Sequence, residues 1–188
     1  SRRRLQPLLI VTTSRSPEHI GDYAPQLPLG TLPDEETTAL ARSLVDEGFD
    51  EARIKDVVSR SDGVPLYVEQ LLFALDQGLR QTGIPENLHD LLAARIDAQG
   101  RHRKLAQCAA VIGREFELQL LAALWDDSEE ELRAGLAALR NNGLITGTQT
   151  LPSFRHALIR DAALQSIPSA ERRRIHQRLA RVLRSQFA

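Results

Sequence analysis

Apolar residues recur three and four apart behind a succession of helix-starting signals, and this constrains the fold more than any other feature of the chain. Pro33 is followed by Asp34, Glu35 and Glu36, which suit the positive end of a helix, and then by the stripe Leu40, Ala41, Leu44 and Val45. Gly48 is the expected stop. Asp50 is placed to cap a second helix carrying Ile54, Val57 and Val58. Asp62-Gly63 breaks the chain, and Pro65 opens a third helix with Val68, Leu71, Leu72 and Leu75 inward. Gly78 and Gly83 mark a loop, and Pro85 opens a fourth helix with Leu88, Leu91, Leu92 and Ile96. The 188 residues hold one Trp, two Tyr and five Phe, so Leu and Ala must fill the core, which suits helix packed on helix.

Gly100 reads as a domain boundary. Beyond it, Leu105–Ile112 is a small-residue helix ending at Gly113, and Phe116–Trp125 is a second. Ser128 with Glu131 has the spacing of a capping box, ahead of a helix with Leu132, Leu136 and Leu139. Asn141-Asn142-Gly143 ends it. Leu144-Ile145-Thr146 and Ser153-Phe154-Arg155 predict a two-stranded hairpin around 147–152, and two helices follow from about His156 and Ser169. The fold class expected is mainly α: four short helices, then three helices, a hairpin and closing helices.

The N-terminal part differs. Leu8-Leu9-Ile10-Val11-Thr12-Thr13 is a continuous apolar, β-branched run, which reads as a buried strand of a parallel sheet. Residues 16–33 hold four of the nine prolines and form a loop, with a short strand expected at Gln26–Leu29. The chain has no Met, not even at its start, and is read as a piece of a longer protein.

Composition excludes several classes. A net charge of −1 gives no overall basic field for nucleic acid or an anionic membrane. A single cysteine, Cys108, cannot build a disulfide framework and suits a reducing, cytoplasmic location. No apolar run approaches the roughly 20 residues that span a bilayer. His19, His89, His102 and His176 have no metal-like spacing to Cys108 or to one another.

Four phrases, in order and at domain-like spacing, carry a resemblance. They are Thr13-Ser14-Arg15-Ser16-Pro17, the stretch Asp62-Gly63-Val64-Pro65-Leu66-Tyr67-Val68-Glu69, Ile112-Gly113-Arg114-Glu115-Phe116, and the stretch His156 to Ala163. The chain thereby resembles the C-terminal part of the signal-transducing (STAND-type) NTPases related to the AAA+ ATPases, closest to the modules attached to bacterial adenylate cyclases and large transcription activators. The resemblance implies three pieces: residues 1–30 as the edge of an α/β nucleotide-binding core, 31–99 as a helical lid, and 100–188 as a winged-helix domain. It implies ATP or ADP as ligand, with Mg held by residues outside this chain.

The resemblance also implies roles. Thr13 and Arg15, at the polar end of the strand, would stand near the γ-phosphate, where open α/β sheets place ligands and a guanidinium suits phosphate oxygens. The turn Gly63-Val64-Pro65 would pack on the adenine ring. His156 is similar in place to the histidine of a Met-His-Asp motif that reaches the β-phosphate of ADP. Here Arg155 stands for the Met and Ala157 for the Asp, so the carboxylate that would support the histidine is missing from its usual place.

No phosphate loop of the form Gly-x-x-x-x-Gly-Lys-Ser/Thr and no nucleophile–base signature is present, so the chain alone is expected to turn over nothing. The expected partners are a phosphate-loop core, further protein partners and an output domain. A DNA-binding or interaction module without nucleotide is the alternative. DNA is the weaker of these, because the helix that would read it starts with Glu129, Glu130 and Glu131, which repel phosphates.

Overall fold

The computed structural model describes residues 9–14, 25–46, 49–77 and 85–186. The chain divides into two compact units, Ser1–Thr31 and Leu32–Ala188. In the first, the described residues form neither helix nor strand. Leu9, Ile10 and Val11 are 84%, 74% and 76% exposed, so the expected buried strand does not form, nor does the short one at Gln26–Leu29. The reason is physical: a strand that is apolar on both faces needs neighbours to pair and cover it. Among the described residues the only β-sheet is the two-stranded hairpin within 145–154.

The second unit is mainly helical. It opens with α1 (Asp34–Ser43), α2 (Glu51–Ser61), α3 (Pro65–Asp76) and α4 (Leu88–Asp97). Pro33 precedes α1, whose first turn is acidic, as the helix dipole favours. Helix α1 has already ended at Ser43; the expected stop, Gly48, lies outside the described residues. The Asp50 carboxylate accepts the Ala52 N–H at 2.9 Å and caps α2. Pro65 occupies the first turn of α3, where its missing N–H costs no helical bond. Pro85, by contrast, does not start α4. The Asn87 side chain accepts the Asp90 N–H at 2.9 Å, and the helix begins at Leu88.

A 3-10 turn (Gly100–His102) leads to α5 (Arg103–Ile112), α6 (Leu118–Leu124) and α7 (Glu129–Asn141). The Ser128 hydroxyl accepts the Glu131 N–H at 3.2 Å and caps α7. Strands β1 (Ile145–Gly147) and β2 (Pro152–Phe154) pair antiparallel, with Ile145 opposite Phe154, and α8 (Ala157–Gln165) and α9 (Ser169–Gln186) follow. Helix α6 is shorter than the sequence predicted because Phe116 is used otherwise. Arg114 O accepts the Phe154 N–H at 2.8 Å, Glu115 bridges Ser153, and the Phe116 N–H donates to Pro152 O at 3.0 Å. The phrase Ile112 to Phe116 thus lays an extended edge along β2. It also buries Phe116 against Phe154, with ring centroids 5.7 Å apart.

Two apolar clusters hold the unit together. Ala41, Ile54, Val57, Val68, Leu71 and Leu91 form one. Leu92, Ile96, Leu105, Phe116, Leu139 and Ile159 belong to the other. Helix α4 serves both, giving Leu91 to the first and its neighbours Leu92 and Ile96 to the second. Packing is therefore continuous across Gly100. A smaller cluster of Val111, Leu124, Ile167 and Ile175 seats α9, whose Arg178 pairs with Asp126 at 2.8 Å. Among the described residues no helix is long and apolar enough to cross a membrane.

Candidate functional site

The turn between α2 and α3 is built around a close backbone approach. Asp62 and Gly63 both have positive φ, at 48° and 67°. The Leu32 N–H donates to Gly63 O at 2.8 Å. A Cβ on Gly63 would stand 2.1 Å from Leu32 O, a distance no side chain tolerates. Only glycine fits there, for its handedness and for its size. Val64 is half-buried and Pro65 is exposed at the start of α3.

From Pro65 onward, Glu69 and Phe73 follow at intervals of four. On a helix such residues share one face, with Cβ atoms about 5–6 Å apart. Val68, Leu71 and Leu75 face the core instead. The face bearing Glu69 and Phe73 looks toward the hairpin and its flanks. There the His156 Nε2 lies 3.5 Å from Glu69 Oε2. His156 ends the extended stretch ahead of α8 and its side chain caps nothing, although its carbonyl accepts the Ile159 N–H at 3.1 Å. Nε2 is buried and makes no hydrogen bond among the described residues. Ion-pair range to Glu69 is its one polar contact there. A carboxylate from α3 therefore stands beside the histidine that precedes Ala157.

The rest of that phrase is structural. Arg160 Nε donates to Ala110 O at 2.9 Å and its Nη1 meets Asp161 at 3.1 Å, which ties α8 to the end of α5.

A cleft of about 640 Å³ opens beyond Glu69 along α3, with Phe73, Arg95, Gly143 and Arg155 in its wall. Arg95 is 6% exposed. Its guanidinium donates to Gln70 Oε1 and Asn142 O and lies 4.0 Å over the Phe73 ring. All of these partners are neutral. Burial, with Arg155 close by, pushes its pKa down to about 10, since neither favours the charged form. Arg155 is exposed and enters no ion pair among the described residues. The point where a Cβ on Gly143 would stand is 3.7 Å from Arg155 Nη1 and 3.9 Å from Arg95 Nη2. Two cations therefore converge over a glycine.

Of the residues expected to form the site, Gly63, Val64 and Pro65 lie at the start of α3, and His156 meets Glu69, one turn further along that helix. Thr13 is exposed in the separate N-terminal unit, and Arg15 lies outside the described residues. Sequence reasoning gave no role to Glu69, Gln70, Arg95 or Arg155. One signal was available: Arg95 falls three and four residues after Leu92 and Leu91, in the apolar stripe of α4, where a charge calls for explanation.

No protein-family model matches the chain. An uncharacterized protein of Rhizobium meliloti (strain 1021) is 28% identical over 200 residues, covering 92% of this chain. The chain spans about a fifth of that relative, 19% of its length. No solved structure matches.

Proposed function

We propose that this chain is the nucleotide-sensing part of a signal-transducing, AAA+-related ATPase, and that ATP or ADP is read by its Gly63-Val64-Pro65 turn and by His156. The observation that carries this reading is the Glu69–His156 contact. It draws the two most distinctive phrases of the sequence onto one face of α3.

The residues present fit such a ligand. Val64 and Pro65 offer a small apolar surface for a base, and His156 carries a buried nitrogen without a hydrogen bond. The order α5, extended edge, α6, α7, hairpin is that of a winged helix, which supports the division into lid and winged helix. The nucleotide would supply the bridge between lid, winged helix and a phosphate-loop core with its Mg. Its differential binding to a closed state would then set the population of that state. The chain's own part is to bind and to orient. Its sequence carries no phosphate loop, so the chain alone is expected to turn over no ATP.

In this reading the protein acts in the cytoplasm, with a core domain, an output domain and protein partners in the longer protein. DNA is a poorer partner for it than protein, because Glu129 and Glu130 stand exposed at the start of α7 and repel phosphates. Photocrosslinking of 8-azido-ADP to a chain extended upstream tests the assignment. Labelled peptides containing 63–65 or 156 would support it. Label confined elsewhere would leave the winged helix as an interaction module without nucleotide.

A further inference from the structure

The cleft beside Glu69 has a composition of its own. Arg95 and Arg155 converge over Gly143, whose φ of +63° and missing side chain leave the point between them open. Carboxylates line the same cleft: Glu69, half-buried, and the exposed Asp76 and Asp46. Helix geometry sets the spacing. Phe73 lies under Arg95, and Asp76 follows one turn later, about 5–6 Å on. Val45, Leu72 and Phe73 add apolar surface to its wall. Arg95 matters most. A guanidinium that is nine-tenths buried, held only by neutral oxygens, is costly unless an anion completes it.

A polyphosphate suits this cleft poorly, since its outer charges would meet Asp46 and Asp76. A simple anion would leave the carboxylates of the cleft without a counterpart. We propose that the cleft is an effector site for a small zwitterion, an α-amino acid with an apolar side chain. The carboxylate would rest between Arg95 and Arg155 over Gly143. The ammonium would turn to Asp76 and Asp46, and the side chain would lie along Val45 and Leu72. Glu69 borders both this cleft and His156. An occupied cleft would therefore stiffen the wall that positions the histidine. The proposal is independent of nucleotide binding and is tested without it.

Isothermal titration of the 188-residue chain with L-leucine and L-phenylalanine provides the test. Hydrocinnamate, phenethylamine and inorganic phosphate serve as probes that lack one charge or the shape. Saturable binding of an amino acid, about tenfold or more tighter than any of these three, is expected. Arg155→Gln and Asp76→Asn alter exposed residues, so they should fold normally. Each should weaken the amino acid by about tenfold, as the loss of a charge-assisted contact requires. Hydrocinnamate or phosphate binding as tightly as the amino acids would overturn the zwitterion. So would an absence of saturable heat with all five compounds, or variants that bind as the parent does.

Discussion

Glu69 Oε2, on the second turn of α3, stands 3.5 Å from His156 Nε2, at the entry to α8. Both side chains are about one third exposed, so the contact is partly screened. It nevertheless links an element of the first apolar cluster to one of the second, which α4 also joins.

A double-mutant cycle reads that link. Glu69→Gln, His156→Ala and the pair, compared by urea unfolding, should show a coupling of about 0.2–1 kcal/mol, the range for exposed ion pairs. Strict additivity would mean the two groups are neighbours without interacting.

Gly63 and Gly100 separate handedness from space. Both have positive φ, but nothing lies within 4 Å of a Cβ at Gly100, whereas one at Gly63 meets Leu32 O at 2.1 Å. Gly100→Ala should cost about 1 kcal/mol of conformational strain. Gly63→Ala must also displace the Leu32 backbone, and should cost at least about 2–3 kcal/mol more than that. Equal melting temperatures for the two variants would show that the Leu32 contact does not constrain the lid.

Phe154→Ala should be among the most damaging single changes. The ring is 1% exposed and packs on Phe116 across the edge that residues 114–116 lay along β2. A loss of about 3–5 kcal/mol is expected from the cavity alone. Calorimetry showing less than about 1 kcal/mol would mean that this edge is not part of the cooperative unit.

Cys108 should resist alkylation. Burial pushes its thiol up to about 11 from an ordinary 9.0. At pH 8 the folded thiolate population is then roughly a hundredfold below the unfolded one, and the thiolate is the nucleophile. Iodoacetamide should label the chain slowly when native and quickly in denaturant; equal rates would contradict the burial of this side chain. The same shift has a sign for stability. The unfolded thiol ionises first, so this contribution is full below about pH 9 and is lost as pH rises toward about 11.

The helical part was legible because its signals are local. Asp50, Pro65 and Ser128 each start a helix where the sequence predicts one, and apolar residues at helical spacing supply both clusters. Pro85 misled because it lies two residues outside the true cap, Asn87. Phe116 misled because its aromatic ring serves a tertiary contact that helix periodicity does not encode. The run at 9–13 forms no strand here because an apolar strand needs paired neighbours, and none of the described residues supplies one. The site was half legible. Gly63 and His156 stand out by residue type, whereas Glu69 and Arg95 acquire meaning only when α3, α4 and the hairpin meet.

The central claim is that the Gly-Val-Pro turn and His156 hold a nucleotide in the longer protein. ADP retained by that protein after desalting, quantified by chromatography of the heat-released ligand, tests it most directly. Near-stoichiometric ADP in the parent, and about tenfold less in His156→Ala with this unit still folded cooperatively, is the predicted result. Equal retention by parent and variant, or no nucleotide in either even after loading with ADP and Mg, would contradict it.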